Sequence, residues 1–396
     1  MNVNNTFSIK HALVFNAFFL LNFVMWLLGF QIIAPLFFIG LLIYFCYFAF
    51  DSFKLKHTLP LLIILSLGLL SLGTVATSWD ARSIWLFHAK RIFIDNSIFA
   101  QLDDYAIWSH NDYPVMVPLL SASFAKLIGY WNEIFPKASN VFFILPPLLV
   151  IYGHLKNNRL FLLMVIGIFY IIAKLLLNGY MDGILALYTL STLIIAKYFF
   201  HDKENVGLLF VLQSIVLVNI KIEGVFIFIV LIMSIFLAKP NIAYANLKKY
   251  LVCLIPLIFW VIWKLIVSTH GVVNDIDAGI SQNNLSTYIE HILNRLQPDN
   301  LFMIFEHTLL FKYYLLLLIP LLFWNKLKGI QFNQLVKVSL LFFGLYWLFL
   351  FTVYVLTPHD LYWHLKGSTT RTTLPLQLIS LWIPILILQD YLSRKV

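Results

Sequence analysis

The stretch HALVFNAFFLLNFVMWLLGF, residues 11–30, followed at once by QIIAPLFFIGLLIYFCYFAF, residues 31–50, decides the fold class. Neither half contains an Asp, Glu, Lys or Arg. Each matches the ~20 residues that an α-helix needs to cross a ~30 Å hydrocarbon core. No small-residue cleavage site separates the two, so the first is expected to be retained as a span rather than removed as a signal peptide.

Similar runs recur along the chain. They predict twelve spans, at about 11–30, 31–50, 58–78, 138–153, 160–176, 183–199, 206–220, 223–238, 250–268, 309–324, 338–356 and 374–389. The composition agrees: of 396 residues 61% are apolar and 11% charged, the latter less than half of the ~25% usual in soluble domains. Cys46 and Cys253 both fall inside apolar runs, offering neither a disulfide framework nor metal-ligand spacing, and are expected to pack in the core. No internal repeat, low-complexity linker or phosphate-cradling glycine motif is present, which points to one membrane domain over residues 1–396.

The formal charge of +9 would suggest nucleic acid in a soluble protein, but in a membrane it must first be divided between the two sides. With twelve spans and both termini inside, fifteen basic and four acidic residues fall on the cytoplasmic side, leaving twelve and fourteen outside. This follows the positive-inside bias and argues against a nucleic-acid partner. The apolar stretch Pro114–Tyr130 is read as an interfacial helix or one buried against others, interrupted early by Pro114 and Pro118. Three outer segments result, 79–137, 269–308 and 357–373.

Polar groups are costly in a membrane protein, so their clustering marks function, and here they cluster outside. Residues 78–93, SWDARSIWLFHAKRIF, read as an amphipathic helix with Ile84, Trp85, Phe87, His88 and Ile92 on neighbouring faces and Arg82, Lys90 and Arg91 able to meet headgroups or a lipid phosphate. Asp80 stands just ahead, either as N-cap or as a general base beside the cations that hold an anionic donor. Asp103, Asp104 and Tyr105, then Trp108, His110, Asp112 and Tyr113, form either an interfacial aromatic belt or a sugar-stacking surface.

Later polar signals are Asn178-Gly179-Tyr180-Met181-Asp182, then Lys221-Ile222-Glu223-Gly224, and then the run from His359 through His364 to Arg371. Lys221 and Glu223 either pair with other helices or, for Lys221, meet a phosphate. Arg371 either snorkels or offers its planar fork to a phosphate. The 269–308 segment, with Asp275, Asp277, Gln282, Asn283, Asn284, Glu290, His291 and Arg295 and a helix expected around Ser286–Leu296, reads as a cover or an acceptor contact. No spacing demands a tightly held metal and no nucleophilic Ser or Cys motif is present, which leaves room only for a loosely bound divalent cation.

Taken in order, Trp79-Asp80-Ala81 with Trp85 and Lys90, Asp112-Tyr113-Pro114 with Pro118-Leu119, Gly179-Tyr180-Met181-Asp182, Lys221-Ile222-Glu223-Gly224 and Arg371 resemble bacterial membrane glycosyltransferases of the GT-C fold. The nearest group is the one related to dolichyl-phosphate-mannose protein mannosyltransferases, the family 39-like enzymes, and the likeness covers most of 79–390. Typical members place the first large loop directly after their first span, whereas two extra spans precede it here, and Met181 stands where a small residue is usual.

The resemblance implies a cell-envelope mannosyltransferase-like transferase in the inner membrane with an extracytoplasmic active site. It would move a sugar from a polyprenyl-phosphate donor to a lipid, glycan or protein acceptor, with inversion. It points to Asp80 as catalytic, to Arg371, Lys221 and Lys90 for the donor phosphate, and to Trp79, Trp85, Asp112, Tyr113, Tyr180, Asp182 and Glu223 for substrate, while residue chemistry alone adds Arg91 to the phosphate and His110 and His364 to substrate. The alternatives are a polymerase or ligase of lipid-linked glycans and a flippase or transporter of lipid-linked sugars. The early position of the large loop counts against the first, and the scarcity of mid-span charges against the second.

Overall fold

The computed structural model of the protein describes residues 3–100, 102, 105–155, 157–200, 206–238, 247–273, 285–309, 312–322 and 334–393. All regular structure among them is helical. Eight helical runs are long and apolar enough to cross a bilayer: Thr6–Leu27, Ala34–Lys54, Ile134–His154, Asn158–Asn178, Asp182–Phe200, Tyr250–Thr269, Gln334–Leu356 and Leu361–Ser393. This is the build of a multi-pass membrane protein.

The chain opens with α1 (Val3–Leu27), α2 (Ala34–Lys54) and α3 (Thr58–Leu72). A π-helical turn over Ala81–Trp85 then runs into α4 (Leu86–Asp95), followed by α5 (Met116–Ile128). The third run comprises α6 (Ile134–Ser139), a 3-10 turn and α7 (Leu145–His154), and begins four residues earlier than expected because Pro136 is accepted in its first turn. The antiparallel pair α8 (Asn158–Asn178) and α9 (Asp182–Phe200) leads to α10 (Gly207–Val218) and α11 (Glu223–Ala238). After α12 (Leu247–Val252) and α13 (Leu254–Thr269) come α14 (Leu285–Arg295) and α15 (Pro298–Leu309), then the short α16 (Ile319–Leu322), α17 (Gln334–Leu356), α18 (Leu361–Thr372) and α19 (Leu374–Ser393).

Several expected elements take a different form. The third and seventh predicted spans are the shorter helices α3 and α10, of 15 and 12 residues, whereas the eighth is α11 over the expected 223–238. The chain is turned at Asn219, whose side-chain amide donates to the Ile215 carbonyl. The tenth predicted span is, where described, a 3-10 stretch over Lys312–Leu318 and one turn of α-helix. The segment 114–130 yields α5, buried along most of its length, which settles its two readings in favour of burial against other helices.

The expected loop 357–373 is largely helix. Asp360 accepts a hydrogen bond from the Trp363 amide as its N-cap, and Ser368, Thr369, Thr372 and Thr373 donate to carbonyls four residues back. The hydroxyls that suggested a loop are thus satisfied within the helix itself. Of the two cysteines only Cys253 is buried; Cys46 is exposed on α2, beside Ile43, Tyr47 and Phe50.

The core lies where α1, α7, α9, α10 and α19 meet. Toward its centre a polar network links three helices: Asn16 donates to Gln213 at 2.6 Å and accepts from Tyr188 at 2.9 Å, while Gln213 donates to Ser191 at 2.6 Å. Neutral networks of this kind bind helices together where apolar contacts give no preference over lipid. Peripheral faces remain apolar and exposed, as at Leu36, Ile43 and Phe50 of α2, which suits a lipid solvent better than water.

Candidate functional site

One end of the bundle gathers the ends of α3, α8, α10 and α18 with the starts of α9 and α11, and there the charged residues converge. The backbone helps: Gly179 at φ +91° ends α8 in the left-handed conformation that favours glycine, so Tyr180 and Asp182 follow immediately. Gly224 is equally constrained, since a Cβ there would stand 2.1 Å from the Leu217 carbonyl oxygen; only glycine lets α11 begin so close to the end of α10.

Asp80 lies in the helical turn at Trp79–Asp80 that leads into the π-turn, and makes no side-chain capping bond. The helix begins ahead of it, so the capping reading gives way. Its carboxylate instead forms an ion pair with Arg371, 291 positions later. The two side chains are 19% and 21% exposed, so the pair is neither sealed nor freely solvated. The Arg371 guanidinium also donates to the Gly367 carbonyl at 3.3 Å, and its carbon stands 5.3 Å from the centre of the Tyr180 ring.

Behind this pair lies a second cluster. The Lys221 ammonium sits 3.0 Å from Asp182 and 2.8 Å from Glu223, so both candidate carboxylates share one cation. Asp182 and Arg371 act electrostatically on one another, which joins the clusters. The formal balance is three carboxylates against two cations. Asp182 Oδ2 and Glu223 Oε2 are buried without a hydrogen-bond partner among the described residues, leaving acceptor capacity within the site.

Aromatic groups line the approach. The Lys221 ammonium lies 5.8 Å from the Tyr113 ring centre, Tyr113 is 5.6 Å from Trp85, and His110 stacks on Tyr113 at 4.5 Å. Tyr346 donates to the Thr372 carbonyl at 3.2 Å, and the Tyr354 hydroxyl hydrogen-bonds Ser368 at 2.8 Å and Thr372 at 2.9 Å, which fixes the helix that carries Arg371.

Other expected residues are placed elsewhere. Arg91 pairs with Asp95 at 3.0 Å, donates to the Ala100 carbonyl at 2.8 Å and lies over the Tyr105 ring at 3.3 Å, which engages its guanidinium away from Arg371. Lys90 and Trp79 are exposed. Asp112 is buried with Lys264 at 3.5 Å, its carbonyl accepting from Trp263 at 2.9 Å, so it ties the loop to α13. His364 bonds Thr357 at 2.8 Å.

The α14 helix agrees with the helix expected around Ser286–Leu296, and Arg295 anchors it by donating to the carbonyls of Thr357 and His359. Asp103, Asp104, Asp275, Asp277, Gln282, Asn283 and Asn284 lie outside the described residues. Among the described residues no three His, Cys, Asp or Glu side chains gather as metal ligands.

Sequence reasoning passed over Lys137, which is buried beside Gly179. A lysine among small residues at the head of an apolar run was the available signal. It also passed over Trp263 and Lys264 as partners of the 79–137 segment. Comparison with protein-family models, curated proteins and solved structures gave no match to this chain.

Proposed function

We propose that the protein is a membrane glycosyltransferase of GT-C type that moves a sugar from a polyprenyl-phosphate donor to a lipid, glycan or protein acceptor on the extracytoplasmic face. The observation that supports this most is the largely buried but accessible Asp80–Arg371 pair beside Tyr180, backed by Asp182, Lys221 and Glu223. Of the candidate phosphate-binding cations, Arg371 is the one held in the cluster by a single carboxylate at its mouth. Lys221 lies between two carboxylates and serves as their counter-ion rather than as a phosphate ligand.

The reaction needs a cation for the departing phosphate and a base for the acceptor hydroxyl. A donor phosphate can accept two parallel hydrogen bonds from Arg371, replacing Asp80 as its partner. The acceptor oxygen then bonds to the anomeric carbon as the carbon–oxygen bond to phosphate breaks. The bonding pair leaves with the lipid phosphate, the hydroxyl proton passes to Asp80, and attack from the opposite face inverts the anomeric centre. The unpartnered oxygens of Asp182 and Glu223 are placed to accept from sugar hydroxyls.

Transfer from radiolabelled polyprenyl-phosphate sugars to membrane lipid and protein extracts tests the reading. Wild type should form product, and Asp80→Asn should bind donor without forming it. Failure of every donor, together with movement of labelled lipid-linked sugar between leaflets that Asp80→Asn leaves unchanged, would replace the enzyme with a transporter.

A further inference from the structure

Lys137 is 1% exposed, yet its ammonium faces no carboxylate among the described residues. Its donors go to the Thr74 carbonyl, the Thr74 hydroxyl at 2.8 Å and the Leu177 carbonyl at 3.0 Å. An isolated buried charge is expensive unless hydrogen-bonded, and these partners are of a particular kind. Leu177 lies in the last turn of α8 and Thr74 two residues beyond α3, where helix carbonyls lack amide partners and carry the negative end of the helix dipole. One ammonium therefore caps the end of α8 and ties to it the residue that follows α3. The Thr74 hydroxyl strengthens the join, standing within reach of both the Leu177 carbonyl at 3.1 Å and the Ser71 carbonyl at 3.2 Å and donating its one proton to either.

The next residue on each strand carries the join toward the site. The Asn178 side chain accepts from the amides of Thr77 at 2.7 Å and Ser78 at 3.3 Å and donates to the Ser78 hydroxyl. Asp80 follows two residues later, and the Ser78 carbonyl accepts from Arg82 inside the π-turn. On the other strand, a Cβ at Gly179 would lie 3.4 Å from the Lys137 stem and 3.5 Å from the Ala81 Cβ. Tyr180 comes next, under Arg371.

We propose that Lys137 is a positioning residue: by clamping the ends of α3 and α8 together it sets the spacing between Asp80 on one strand and Tyr180 on the other. The clamp is a statement about structure alone, and its effect on rate rests on the transferase reading above.

The two parts are tested separately on the full chain in nanodiscs. Amide hydrogen exchange reads the clamp at Thr77 and Ser78, whose N–H groups donate to Asn178 across the joined ends. These amides should exchange slowly with Lys137 present and several-fold faster with Lys137→Met, with partial recovery in Lys137→Arg, as peptide mass spectrometry would read. Equal rates in all three backgrounds overturn the clamp whether or not the protein transfers sugar. Should Lys137→Met not elute as a folded species, Thr74→Val, which removes one of the three acceptors, replaces it with a smaller acceleration expected and the same criterion.

In transfer assays, Lys137→Met should lower kcat by about tenfold to a hundredfold, as expected for a displacement of about 1 Å, with KM for the lipid-phosphate donor little changed. A rise in KM with kcat intact would make Lys137 a phosphate ligand instead and overturn the proposal. Absence of transfer by the wild type would count against the transferase reading and leave the hydrogen-exchange result to decide the clamp.

Discussion

The two ends of the bundle handle charge differently. At the end opposite the candidate site, Asp51 of α2 accepts from Lys10 at 3.2 Å and His11 at 2.9 Å, while the other ring nitrogen of His11 meets Tyr44 at 2.8 Å. His57 meets Tyr152 at 3.0 Å and His154 meets Tyr198 at 2.8 Å. The α1–α2 contacts join positions 33 to 41 apart, the span of one helical hairpin. At the site end, Asp80 and Arg371 are joined across 291 positions, and two carboxylate oxygens remain unpartnered. Local pairing fastens neighbouring helices, whereas a cluster collected from distant segments with acceptor capacity to spare is better explained by a ligand.

The sharpest way to break this contrast is to remove one carboxylate at each end. Asp80→Asn should reduce transfer by about 10²–10⁴-fold, the usual weight of a general base, while Asp51→Asn leaves the rate near wild type. Comparable losses from both would mean that the two ends share one structural role.

Next in size is the counter-ion. Lys221→Met strands Asp182 and Glu223 as buried charges and should destabilise the protein by about 3–5 kcal/mol, measured as thermal unfolding in detergent. Lys10→Met removes a half-exposed cation from Asp51 and should cost about 0–1 kcal/mol.

A large pH effect should also arise at the site end. Burial first, and then the nearby Arg91 charge, push the His88 imidazole down to about 4 from the usual 6.5. Its ring nitrogens lack a well-formed hydrogen bond, and it lines a cavity of about 20 Å³ with Asn111 and Val115. Below pH 6.5 the unfolded chain takes up a proton that the folded chain refuses until about pH 4, so stability falls across that window. The loss is at most about 3 kcal/mol at about 1.4 kcal/mol per unit, and His88→Gln should flatten that part of the profile in unfolding scans at pH 7 and 5.

Residue chemistry on the chain goes a long way toward this site and then stops for identifiable reasons. Asp80, Tyr113, Tyr180, Asp182, Lys221, Glu223 and Arg371 were visible as polar groups at the ends of apolar runs, since a membrane protein has few other reasons to place them there. Their pairing was not visible, because whether Lys221 meets a phosphate or two carboxylates depends on where α9 starts relative to α11. Arg91 carried the same uncertainty, resolved by Asp95 one turn away. Helix 361–372 was hidden by Gly367 and its hydroxyl residues, which have low helix propensity until their side chains bond back to the helix. Span lengths were least legible at α3 and α10, where hydropathy continues past the last helical residue.

The run Leu361–Ser393 can also be read as a ruler. At about 1.5 Å per residue its 33 residues extend roughly 50 Å, well beyond a hydrocarbon layer of about 30 Å. Arg371 stands 22 residues above Ser393, or roughly 33 Å along the helix, one apolar thickness from that end. In the proposed transferase reading, that is the depth at which the donor carries its lipid phosphate. A headgroup travelling sideways within its own leaflet would therefore arrive level with the guanidinium, needing neither to rise into water nor to sink into the hydrocarbon.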